Sequence, residues 1–337
     1  MSGNIRKVGD QVRSWFTTNA KQLTLRFYAD DGAEPLDPGE GYVRLWLAEG
    51  FLATARSWGN DHFPALHGGV TLSFAGRATP FTRFTKPSAP LSAGVYLDYP
   101  MTTLLPFVGG TVELEAGLYR ATVAGPLAAA VEIGGKLASL IGPPLSMAAD
   151  IADKISQGLG IVLDAQKEAP VLGLHHTLVS DGGGGQVLRS GSLVLINAQE
   201  HELPAGLRME NGRLRSDSGL LTGFDYLVLR VECRTEHDEL RFPQLASLQQ
   251  RAATEWLSGE VERFKQIRAL AITEAVGSAD LIARDRFRLA KYVADQIDLV
   301  KELGAVPQED GGFDPVPARL LPDAEEVAKL TLDDLLA

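Results

Sequence analysis

Cysteine is almost missing from this 337-residue chain: Cys233 stands alone. A single thiol excludes an intrachain disulfide and a cysteine-rich zinc site, and it fits a reducing compartment. Basic charge is also short. Lys and Arg number 32 against 43 Asp and Glu, a net charge of −11. A phosphate-binding surface needs the opposite balance, so nucleic acid is not an expected partner. Long apolar runs are lacking too. No segment offers the roughly 20 apolar residues that a bilayer core demands. Arg6 and Lys7 are followed by no apolar stretch, so a secretory leader is not expected and the cytoplasm is the expected location.

Motifs that carry chemistry are equally scarce. Gly135-Lys136 invites comparison with a phosphate-binding loop, but Ala130 stands where its first glycine belongs and Leu137 where a metal-reaching hydroxyl belongs. No serine lies in a Gly-x-Ser-x-Gly turn. His201-Glu202 runs into Leu-Pro-Ala, without the second histidine of a zinc helix. No cofactor or metal is expected. The one polar cluster with catalytic potential is Trp58–Phe63 followed by His67-Gly68-Gly69. There Asp61 could orient His62 or His67 as a base, on what reads as a loop between strands. His175 and His176 are neighbours on an expected strand, so they face opposite sides and do not share a site.

What the chain does have is apolar material in two rhythms. Hydrophobic residues make up 45% and charged ones 22%, the balance of a globular protein with a real core. Leu23–Tyr28, Tyr42–Leu47, Val70–Phe74, Val112–Ala116, Leu172–Leu178, Leu193–Leu195 and Leu227–Cys233 alternate with period two, and Gly, Pro and Asp clusters separate them. These read as antiparallel sheets in a sandwich or partly open barrel. Cys233 extends the row Leu227, Leu229, Val231 and is expected to be buried and inert. Asp181 and the glycines at 182–185 read as a flexible hairpin loop.

The helical rhythm appears in four places. Ile5, Val8, Val12 and Trp15/Phe16 make residues 1–20 a short amphipathic arm. Residues 125–163, inserted in the β-rich body of 21–242, read as an apolar helical hairpin broken at Gly142-Pro143-Pro144. The wet stripe of its first arm is Glu132, Lys136 and Ser139, and the second arm turns Asp150, Asp153, Lys154 and Gln157 outward. From 243 to 304 a pair of long helices is expected, with Phe264 on one stripe and Leu289, Val293, Ile297 and Val300 on the other. Residues 305–337, with eight acidic and two basic side chains, read as an extended acidic tail. Near its end Leu330 and Leu335 could fold on a groove or pack back as a helical turn.

The fold class expected is therefore α+β: a β-rich body, an inserted apolar hairpin, a C-terminal helix pair and an acidic tail. Function follows from what must cover the apolar surfaces. The leading expectation is a non-catalytic protein-interaction or assembly protein, binding a protein partner or its own copies. Leu127, Val131, Leu137, Ile141, Phe264, Leu330 and Leu335 are its candidate contacts. The alternatives are a membrane-acting effector that exposes 125–163 only after a conformational change, and a hydrolase using Asp61, His62 and His67. Packing of the hairpin between β-layers is preferred over lipid contact.

Overall fold

A computed structural model describes residues 12–53, 56–57, 60–74, 77–85, 96–122, 170–237, 239–240, 242–303 and 316–337. The hairpin expected at 125–163, with Leu127, Val131, Leu137 and Ile141, lies outside them. Two compact units emerge. The first comprises residues 1–38, 43–103 and 108–233; the second comprises 39–42, 104–107 and 234–337. The second unit is thus assembled from three stretches, and it takes residues 234–242 from the segment assigned above to the β-rich body.

The first unit opens with helix α1, residues 12–19. Val12 is buried, and the Trp15 ring lies so close to Gly173 that a Cβ there would sit 3.1 Å from it. This part of the amphipathic arm therefore packs on its own sheet. Strands β1 (Thr24–Ala29), β2 (Gly41–Phe51), β3 (Arg56–Ser57), β4 (Asn60–Phe74), β5 (Arg77–Thr85) and β6 (Tyr96–Pro100) follow. Next come β7 (Leu105–Phe107), β8 (Thr111–Thr122), β9 (Leu172–Val179), β10 (Gln186–Val187) and β11 (Gly191–Ile196). A small meander, β12 (Arg208–Glu210), β13 (Arg213–Ser216) and β14 (Gly219–Leu220), leads to β15 (Tyr226–Arg234). Every strand expected from the period-two pattern is present.

One sheet runs open in the order β1-β11-β15-β2-β6, a second in the order β10-β9-β8-β4-β3 with β5 on β4. The structure thus supports a mixed α+β chain of open sheets and helices. In the second sheet β8 lies antiparallel between β4 and β9, and Val112, Leu114 and Ala116 are buried beside Leu172, Leu174 and Leu178. The strict alternation expected for 193–195 fails in the first sheet, and that expected for 227–233 holds only from Leu229 to Glu232. All six residues of β11 and Tyr226–Leu229 of β15 are buried. The cause is the meander: Leu214 and Leu221 cap Val194, Ile196 and Val228, so this face is covered as well.

The glycine run also behaves differently from expectation. It joins β9 to a parallel partner: Gln186 and Val187 of β10 pair with Leu178 and Val179. Gly182 takes φ +83°, and Gly183 donates to the Ser180 carbonyl, which curls the chain back on itself within six residues.

In the second unit three helices replace the expected pair: α2 (Pro243–Leu257), α3 (Val261–Val276) and α4 (Ala283–Leu303). Gly259 makes the unexpected break. It takes φ +82°, Gly259 N–H bonds to Trp256 O, and Glu260 N–H reaches back to Glu255 O. That pair of bonds is the Schellman termination, which needs a left-handed residue at that point. Leu245, Leu248, Ala252, Phe264, Ala271, Ile272, Leu289, Val293 and Ile297 form one core with Tyr42 and Leu104.

Residues 316–337 are not extended. β17 (Val316–Pro317) pairs with β16 (Glu239–Leu240), a 3-10 turn covers Ala318–Leu320, and two short helices follow, α5 (Ala324–Val327) and α6 (Leu332–Leu336). Val316, Leu321 and Leu335 are buried in the helical core, because this stretch spaces enough aliphatic side chains among its acids to cover an apolar groove. The remainder of the expected tail, 305–315, lies outside the described residues.

Candidate functional site

Polar side chains set into apolar strands are where this molecule departs from simple core building. In β2, Arg44 and Trp46 alternate with Leu45 and Leu47; in β15, Arg230 and Glu232 alternate with Leu229 and Val231. Buried leucines occupy one face, so the alternating set lies on the other. Because β2 runs between β15 and β6, these side chains meet over its middle.

Trp46 is the centre. Its indole N–H donates to Glu232 Oε2 at 2.9 Å. The Arg230 guanidinium lies over the ring at 4.5 Å from its centroid, and that of Arg44 at 5.5 Å. Arg230 passes over β2 to reach Asp98 Oδ1 on β6 at 3.7 Å, while Arg44 Nε stands 3.8 Å from Glu232 Oε2. Each guanidinium–indole contact is worth about 0.5–1 kcal/mol at a partly exposed site. Asp98 itself is 63% exposed and has φ +45°, a left-handed conformation rare in a strand. The arrangement is a planar, half-covered aromatic surface with guanidinium donors over it. It can stack on a flat group and hydrogen-bond a carboxylate. Among the described residues it holds no nucleophile paired with a base.

Two further polar sets sit in the same unit. Glu49 is buried among apolar side chains, accepting from Leu214 N–H at 3.2 Å and from Tyr226 O–H at 2.9 Å. Burial raises its carboxyl above the usual range despite both donors. On the second sheet Glu115 and His175 face each other across β8 and β9, 3.6 Å apart, and Arg13 of α1 reaches Glu115 at 3.4 Å. His176 points the other way; burial and then His175 lower its pKa.

The residues singled out in the sequence are dispersed. Asp61, His62 and His67 lie on the continuous strand β4, which replaces the expected loop. Extended backbone puts His62 and His67 roughly 17 Å apart at about 3.3 Å per residue. His62 pairs with Thr122 and His67 with Gly117. Phe264 and Leu335 are internal to the helical core, and Leu330 packs partly buried against it. Among the described residues no group of three or more His, Cys, Asp and Glu is placed to hold a metal, and no helix is long and apolar enough to cross a membrane. The Trp46 surface had a partial signal in the sequence, charged residues inside two apolar strands. Their adjacency was not written there, since Trp46 and Glu232 are 186 positions apart.

In comparisons with protein-family models, curated proteins and solved structures, no match is found.

Proposed function

We propose that the protein is a non-catalytic cytoplasmic interaction or assembly protein, and that the Trp46 face is where a protein partner or a second copy docks. The observation that carries this reading is a half-covered indole stacked by two arginines. Trp and Arg concentrate binding energy at protein interfaces, and a truncated hot spot costs about 2 kcal/mol or more. The test is native particle size and retained partners for the wild type beside Trp46→Ala and Arg230→Ala. With melting temperatures unchanged, both variants are expected to lose partner or self-association by at least about tenfold. Unaltered association in both would exclude this face.

The proposal extends to the architecture: the two long sheets are the layers of a sandwich or partly open barrel, and residues 125–163 form an apolar hairpin packed between β-layers. Complete burial of β11 supports this, since the meander accounts for one face alone. Leu137→Asp should then unfold the first unit, because a buried unpaired charge costs several kcal/mol. A well-folded variant, with wild-type protein that makes liposomes leak, would favour the membrane-acting alternative instead.

A further inference from the structure

The C-terminal segment is held in an unusual manner for a piece of core. Its secondary structure is minimal: a two-residue pairing with β16, a 3-10 turn, and helices of four and five residues. Helices that short have no stability of their own. Side chains from Val316, Leu321, Val327 and Leu335 enter the surface of the bundle, α5 packing on α4 and α6 on α3 and α4. Among the described residues, two arginines grip the segment's backbone carbonyls. Arg288 Nε donates to Pro322 O at 2.7 Å, and Arg268 NH1 donates to Leu335 O at 2.9 Å.

Both arginines are independently held by the bundle. Arg268 makes a two-pronged contact with Asp298 of α4, through Nε and NH2 at 2.9–3.1 Å. Arg288 NH1 bonds Asp285 Oδ1 at 3.0 Å. If the segment left, each guanidinium would keep its carboxylate, so its position and charge balance would persist. Helices α2, α3 and α4 also contact one another directly. Apolar pockets flanked by donors to main-chain oxygen are how a groove takes a peptide, whatever its polar side chains.

We propose that the helical unit contains a peptide-binding groove, with residues 316–337 as its displaceable built-in occupant. Its external ligand is a protein segment with leucines at helical spacing and main-chain carbonyls placed to accept from Arg268 and Arg288. Thr331 and Asp334 show how such a ligand organises itself, since they form a reciprocal cap that starts α6 within the segment. The groove is separate from the Trp46 face and stands on different observations. Occupation by the chain's own terminus lowers the apparent affinity for the external segment by the fraction of time the groove is open.

The experiment uses the full chain and a fluorescent synthetic peptide of residues 316–337, read by polarisation. Leu321→Asp/Leu335→Asp in the chain loosens the built-in segment. The loosened chain should bind the unmodified peptide at least about tenfold more tightly than the wild type. Adding Arg268→Ala should weaken that binding again. Hydrogen exchange on α2–α4 is measured in parallel. A loosened chain with protected helices that takes up no peptide overturns the proposal. Equal binding by wild type and loosened chain overturns it too, because the groove would not be self-occupied. Loss of protection across α2–α4 also overturns it, since the segment would then be core.

Discussion

Glu49 is the residue most at odds with its surroundings. It is 1% exposed, and burial raises its pKa although Leu214 N–H and Tyr226 O–H both favour the charged form. A carboxyl whose folded pKa lies above its unfolded one contributes stability that is full below the unfolded value. That contribution is lost as pH rises through the folded value. The melting temperature of the wild type, relative to Glu49→Gln, should therefore decline from acid toward neutral pH. A difference that does not vary with pH would show that Glu49 titrates normally. Cys233 is half-buried rather than fully buried, and burial pushes its thiol up to about 12. Because the thiolate is the reactive species, alkylation at pH 8 should be far slower than for a free peptide thiol, and rapid labelling would contradict this. Alternation in the sequence placed Cys233 on its strand correctly. It could not place Glu49, whose phenolic partner Tyr226 is 177 residues away.

Elements were legible where periodicity was long and illegible where a single residue broke it. The stripe Leu289, Val293, Ile297, Val300 is fully buried as its spacing required. Continuous apolar spacing across 245–275 concealed the Gly259 termination, although a lone glycine between Ser258 and Glu260 was its visible mark. Asn211-Gly212, at φ +52° and +73°, turns β12 into β13 and is the strongest short hairpin signal in the chain. It lies outside the apolar runs that carry the period-two pattern. Gly259 allows a clean measurement, because a Cβ there meets nothing within 4 Å. Gly259→Ala should cost about 1 kcal/mol from backbone strain alone, with Gly259→Asn milder. Thermal unfolding of the two variants is the check; a stabilising alanine would mean that the helix end rearranges.

At the scale of the whole molecule, the shifted buried carboxyls of the two units lie on opposite sides of the ordinary range. Burial tends to raise Asp285, but hydrogen bonds from Tyr42, Arg284 and Arg288 outweigh it. The same holds for Asp298 against Lys301 and Arg268, so both carboxyls titrate below the ordinary range. Depressed carboxyls contribute stability above the unfolded pKa that is lost as pH falls through the folded one. Acidification should thus remove amide protection from α3 and α4 before it does so from β11 and β15, where Glu49 works in the other direction. Parallel loss in both units would contradict this.

Tyr42 adds a constraint that belongs to synthesis. Its hydroxyl donates to Asp285 at 2.7 Å and accepts from Ile282 N–H at 3.3 Å, closing the helical unit across 243 positions of chain. At about 5–20 residues per second on the ribosome, Tyr42 emerges roughly 12–50 s before the aspartate it needs. The helical unit is therefore among the last things a nascent chain can finish, and a gene fragment beginning at codon 234 would encode its helices without the tyrosine that pins them.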